Sequence, residues 1–214
     1  MSGAQGIIFD MDGLMIDSER IINRAVVRAG REMGLSGIEE VSLRTIGTSN
    51  ARTREIYESV YGKLDFDRLM DLKHRYIDEM IGDNGFPPKD GICEMLEYVT
   101  GKGYITAVGS STREWAVKEF LGKIGVLGFF NIFVCGDMGL RSKPFPDIFL
   151  ACADKMGISP HECFVLEDSP NGIRAAFAAG MKPVMIPDMI APDEDIIPML
   201  YALKGSLTEA MEIF

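Results

Sequence analysis

Apolar and polar positions change rhythm twice along this chain. A short apolar run, Ile7-Ile8-Phe9, ends abruptly in Asp10-Met11-Asp12-Gly13, and its branched and aromatic residues predict a buried strand. From residue 18 onward the period lengthens. Ile21, Ile22, Ala25, Val26 and Ala29 recur at helical spacing over 19–33, and Leu69, Leu72, Tyr76, Ile77 and Met80 mark one face of a helix over 67–81. Between them, Gly47-Thr48-Ser49-Asn50 reads as a turn that opens a helix running to about Tyr61. The run Gly82-Asp83-Asn84-Gly85-Phe86-Pro87-Pro88 then breaks both helices and strands.

Beyond that linker the pattern alternates. Strands are expected at 104–108, 131–135, 163–166 and 184–186, with helices at 91–99, 112–121, 146–156 and 170–179. Ser206-Leu207-Thr208-Glu209 is a capping box that opens a last short helix. Strands alternating with helices predict a parallel sheet covered on both faces by right-handed crossovers. The 7–9 strand has the character of that sheet. The expectation is therefore an α/β fold with a Rossmann-like core, 1–17 and 83–214, interrupted by a helical insertion, 18–82.

Ligands of open parallel sheets bind beyond the carboxyl ends of the strands, and the residues placed there are polar in four cases. The first strand ends in Asp10 and Asp12, the second in Gly109-Ser110-Ser111-Thr112. The third leads to Arg141-Ser142-Lys143-Pro144 and the fourth to Glu167-Asp168-Ser169-Pro170. Each group also has a plain explanation. Asp10 and Asp12 can be an acidic turn, Ser110 to Thr112 helix N-caps, Lys143 a surface lysine, and Glu167-Asp168 an acidic first turn. An EF-hand loop does not fit, since Leu14 and Met15 stand where a ligand and a glycine are needed. Taken together the four ends describe one chemistry. Hydroxyl and N–H donors with a lysine suit a phosphoryl group, and clustered carboxylates suit a hard cation such as Mg²⁺. Asp10 could attack phosphorus, and Asp12 could protonate the leaving oxygen and then deprotonate water.

Composition narrows the partners. With 22 basic and 32 acidic residues the formal net charge is −10, which argues against a nucleic-acid surface. No apolar run reaches membrane-spanning length and no signal core is present, so a cytoplasmic location is expected. Cys93, Cys135, Cys152 and Cys163 lack metal-ligand spacing and are expected to be buried, reduced thiols. A monomer is expected.

The motif set resembles the haloacid dehalogenase superfamily, in particular its β-phosphoglucomutase-like phosphatases. Asp10-Met11-Asp12-Gly13 matches the first motif, Ser110 the second, Lys143-Pro144-Phe145-Pro146-Asp147-Ile148-Phe149 the third and Glu167-Asp168-Ser169-Pro170-Asn171-Gly172-Ile173 the fourth. The resemblance implies Mg²⁺ held by the Asp10 carboxylate, the Asp12 carbonyl and Asp168, with Glu167 acting through water. It implies phosphate contacts from Ser110, the Ser111 amide and Lys143, and a mobile helical cap over 18–82 that sets specificity. The second acid, Asp12, separates the chain from dehalogenases and phosphonatases, which lack it. Phosphoglucomutases carry a His and an Arg in the cap where Ile22 and Asn50 stand, so hydrolysis of a small phosphorylated metabolite is expected over mutase activity, with Asn50 a substrate-binding position. A phospho-receiver module would place its reactive acid on the third strand and carry no large insertion.

Overall fold

The computed structural model describes residues 5–46, 48 and 50–214, the Asn50 side chain excepted. It divides into two compact units, residues 1–17 with 87–214 and residues 18–86. The second boundary lies at Phe86–Pro87, after the 82/83 division expected from the glycines, because Gly82–Asn84 forms a 3-10 turn continuing from the helix before it.

In the larger unit β1 (Gly6–Phe9) is central. The insertion that follows it supplies α1 (Ser18–Glu32), α2 (Ile38–Leu43), α3 (Asn50–Tyr61) and α4 (Phe66–Ile81). The larger unit resumes with α5 (Ile92–Gly101), β2 (Ile105–Gly109), α6 (Glu114–Lys123), β3 (Ile132–Val134), α7 (Asp147–Met156), β4 (Cys163–Glu167), α8 (Pro170–Ala178), β5 (Lys182–Met185), β6 (Ala202–Leu203) and α9 (Leu207–Ala210). All six strands pair in parallel, in the order β3-β2-β1-β4-β5-β6. This is the doubly covered sheet that the alternation requires. Ile8, Ala107 and Val165 on one face pack with Phe149 and Cys152 of α7 and Ala175 of α8. Phe9, which points to the opposite face, meets the Phe130 ring edge-on at 5.7 Å.

Gly13 has a φ of 78°, a conformation that costs other residues energy. The turn lets Gly13 N–H donate to the Ile16 carbonyl at 3.0 Å and folds Leu14, Met15 and Ile16 into the core. The two chain crossings then lie side by side on the core. Asp17 N–H donates to the Pro87 carbonyl at 2.8 Å and Lys89 N–H to the Met15 carbonyl at 2.9 Å.

The helical unit has its own core, in which Ala25, Val26, Leu69 and Tyr76, from the periodic faces of α1 and α4, pack with Ile38 and Tyr57. Asp65 caps α4 by accepting from Arg68 N–H at 3.1 Å.

Four local expectations change. Helix α2 and strand β6 were not expected, because six and two residues are too short to display a period. Helix α6 begins at Glu114, two residues after the expected start, so Ser110 to Thr112 do not cap it. Cys93 is exposed, while the other three thiols are buried. Among the described residues no helix is long and apolar enough to cross a membrane.

Candidate active site

Register, more than proximity in sequence, assembles the polar residues. Phe9 of β1 stands opposite Val108 of β2 and Leu166 of β4, and Gly109 opposite Val134 of β3. The strands therefore end level, and their next residues emerge on one rim. Asp10 N–H donates to the Leu166 carbonyl at 3.1 Å, and Ser110 N–H to the Val134 carbonyl at 3.0 Å, so both backbones are fixed as the sheet ends.

Lys143 reaches this rim from the loop between β3 and α7. Its Nζ donates to Asp10 Oδ1 at 2.5 Å and to Glu167 Oε1 at 2.6 Å, with only 8% of the side chain exposed. It also lies 4.9 Å above the Phe149 ring, which supports a cation on its face. A surface lysine is thus excluded. The loop is braced by Arg141, which grips Asp147 through two bonds of 2.8 and 2.9 Å.

Glu167 is held from both sides. Oε1 takes the lysine, while Oε2 accepts from Ser169 N–H at 3.0 Å and from the Ser169 hydroxyl at 2.9 Å. The same hydroxyl oxygen accepts from Gly172 N–H at 3.1 Å and so caps α8, whose first turn carries Pro170. Gly172 is required by space, since a Cβ there would lie 1.8 Å from the Glu167 carboxyl carbon.

Asp10, Glu167 and Asp168, all buried, offer carboxylate oxygens within 4.8 Å of one another. Three acids around one buried lysine leave an excess of negative charge where water is scarce, a costly arrangement without a further cation. The donor set is all oxygen and fits a hard divalent ion such as Mg²⁺. Burial pushes the Asp10 carboxyl well above the usual carboxylate range; Lys143 opposes this, and Glu167 and Asp12 add to it. For Lys143, burial works against the charged form, but Asp10 and Glu167 outweigh it and hold the ammonium above its ordinary value. The lysine is a fixed cation at any physiological pH.

Asp12 has a different environment. Its carboxylate is not part of the three-acid cluster, and its Oδ2 accepts from the Thr112 hydroxyl at 2.7 Å. Two acids two residues apart thus receive separate surroundings, one buried against the lysine and one turned to a neutral donor. Ser110 is fully buried and its hydroxyl oxygen accepts from Thr112 N–H at 3.0 Å, whereas Ser111 is exposed. Of the expected site residues, Asp10, Asp12, Ser110, Ser111, Lys143, Glu167 and Asp168 stand at the ends of β1, β2 and β4 or on the loop after β3. The side chain of Asn50 lies outside the described residues, as do Gly47 and Ser49.

For three residues that the sequence places in the motifs, the structure shows contacts that the sequence did not indicate: the Thr112 hydroxyl meets Asp12, Ser169 serves Glu167, and Gly172 leaves space for that carboxylate. The spacing Ser169-Pro170-Asn171-Gly172 does carry a legible cap signal. That its hydroxyl also serves Glu167 depends on the strand end before it.

Comparison with known proteins shows the family and the fold. The profile of the haloacid dehalogenase-like hydrolase family matches residues 7–186. The chain is 28% identical to a phosphorylated carbohydrates phosphatase of Thermotoga maritima, over 83% of this chain and 82% of that protein. It is 31% identical to a fructose-1-phosphate phosphatase of Escherichia coli, over 84% of this chain and 94% of that one. A haloacid dehalogenase-like protein of unknown function from Agrobacterium tumefaciens superposes with a TM-score of 0.83 at 28% identity, covering 99% of this chain and 97% of its own.

Proposed function

Because the chain belongs to the haloacid dehalogenase-like hydrolases, we propose that it is a Mg²⁺-dependent phosphatase of small phosphorylated metabolites, sugar phosphates foremost, acting through an aspartyl-phosphate. The observation that carries the reading is the division of labour at one rim. Asp10 is clustered with Glu167, Asp168 and Lys143, while the Asp12 carboxylate accepts from Thr112. The sugar-phosphate class is supported by the similar carbohydrate-phosphate phosphatases.

The chemistry then runs in two displacements. One oxygen of Asp10 attacks phosphorus in line, and the ester bond breaks as Asp12 gives its proton to the departing alcohol oxygen. Asp12, now ionised, takes a proton from water as that water attacks the phosphorus, which frees Asp10 and inorganic phosphate. Lys143 sets the orientation of Asp10 and supplies fixed positive charge for the phosphoryl oxygens, and Ser110 and the Ser111 amide act as donors to them. Asp10, Asp168, the Asp12 carbonyl and Glu167 would hold the cation, which neutralises the phosphoryl charge when bound. The helical unit, residues 18–86, is assigned the role of selecting the alcohol part of the substrate.

The test is a panel of phosphorylated sugars, polyols, nucleotides and small acids incubated with the purified protein and Mg²⁺. Phosphate release that is strongest with sugar phosphates, and lost on chelation, is the expected result. A coupled assay for interconversion of glucose 1-phosphate and glucose 6-phosphate belongs beside it. Interconversion without release of phosphate, or release that survives chelation, would contradict the reading.

A further inference from the structure

Thr112 has a hydroxyl committed to neither its helix nor the phosphate loop. Helix α6 starts at Glu114 with Arg113 as its N-cap, and no side chain caps it. The Thr112 hydroxyl instead donates to Asp12 Oδ2 at 2.7 Å, a contact between residues one hundred positions apart. The backbone behind that hydroxyl is fixed on both sides. Thr112 N–H donates to Ser110 Oγ at 3.0 Å, and the Thr112 carbonyl accepts from Gly136 N–H at 2.9 Å. Gly136 permits this close approach of the two backbones, since a Cβ there would stand 2.0 Å from the Ser111 carbonyl oxygen. A β-branched side chain on a pinned backbone has few χ1 choices. The donor is therefore presented at a defined point.

We propose that Thr112 is a positioning residue for the acid–base step, fixing the orientation of the Asp12 carboxyl so that its proton is delivered to the leaving oxygen. This rests on the assignment of Asp12 as acid and base made above. With Oδ2 held by the threonine O–H, rotation about the Asp12 side chain no longer scrambles the two oxygens. Alignment of this kind contributes through proximity and orientation, with no new bond made or broken by Thr112 itself.

The experiment compares two esters, using the full protein with Mg²⁺. One is the alkyl phosphate turned over fastest in the panel above, whose leaving alkoxide needs a proton. The other is p-nitrophenyl phosphate, whose leaving group needs none. The readout is kcat/KM, which covers steps up to formation of the phosphoenzyme. Thr112→Val is expected to lower kcat/KM for the alkyl ester by about ten- to hundredfold, part of the ~10²–10⁴ that acid–base catalysis supplies. The aryl ester should change by less than about threefold. Thr112→Ala, which only removes atoms, must discriminate in the same sense, and Thr112→Ser, which keeps the hydroxyl, must restore most of the loss. Equal loss on both esters, no loss on either, or failure of the serine to rescue would overturn the proposal. Asp12→Asn on the same two esters separates the two levels. If it discriminates and Thr112→Val does not, Thr112 has no positioning role; if it does not discriminate, the acid–base assignment of Asp12 has itself failed.

Discussion

At the scale of single residues, neighbouring acids are told apart by what surrounds them. Asp10 and Asp12 are chemically identical, and both leave the same strand end. Burial, Lys143 and two further carboxylates act on Asp10, while Asp12 takes a hydroxyl from Thr112. Replacing Asp10 by Asn keeps the size and removes the carboxylate proposed as the nucleophile. Phosphatase activity is expected to fall by ~10³ or more, with an unchanged far-ultraviolet spectrum. Retention of activity in that variant would remove Asp10 from the mechanism. The thiols provide a second residue-level prediction. Burial pushes Cys135 and Cys163 up to about 11 and Cys152 up to about 12, so at pH 8 each is almost wholly protonated and a poor nucleophile. Cys93 is exposed. In the native protein a colorimetric disulfide reagent should titrate one thiol quickly, and all four after denaturation. Four fast-reacting native thiols would refute the burial argument.

At the scale of elements, the catalytic loops are held by the helices they lead into. Ser169, two residues past β4, caps α8 and fixes Glu167 with one side chain, and Gly172 leaves room for that carboxylate. Gly172→Ala must push Glu167 aside. A loss of ~1–3 kcal/mol in unfolding free energy is expected, as for other overpacked sites, together with weaker Mg²⁺ binding by titration. Gly101→Ala is the control. Gly101 ends α5 with nothing within 4 Å of a Cβ, so this change should leave stability unaltered or raise it by up to about 1 kcal/mol. If the two variants melted alike, crowding at Glu167 would not be what Gly172 relieves. Helices α1 and α4 were legible because each runs for several periods, and the strands of the sheet because they are continuous apolar runs. Helix α2 and strand β6 are too short for either, and each is fixed by neighbours: β6 exists only as a parallel partner of β5.

At the scale of the whole molecule, an acidic chain handles an anion by concentrating positive charge locally. On the proposed function, the net charge of −10 leaves capture of a phosphate to Lys143 and the proposed cation. A cation at 100 times its Kd would stabilise the protein by about 2.7 kcal/mol, which is ~5–10 °C in melting temperature for a chain of this size. The pH dependence follows from Asp10. Its folded pKa is raised, so without a cation the native state holds a proton that the unfolded chain has already lost. Stability is then fullest below the unfolded value and falls as pH rises towards the folded one. The Mg²⁺-induced gain should therefore be larger at about pH 8 than at about pH 5, and should vanish in Asp168→Asn. A gain that ignored pH, or survived that substitution, would place the ion elsewhere.

The sequence alone determined the architecture, because a sheet buried on both faces needs continuous apolar strands and the insertion needs a helical period. It also located six of its eight candidate site residues at strand ends, since polar groups placed directly after buried strands have little choice of position. Tertiary structure decided the rest. Only the register of β1 between β2 and β4 brings Asp10 level with Glu167, and only the packing of the 135–146 loop buries Lys143 between them. Thr112 meets Asp12 across a hundred residues of chain. No local pattern encodes that contact, because it depends on where two separate strands stop.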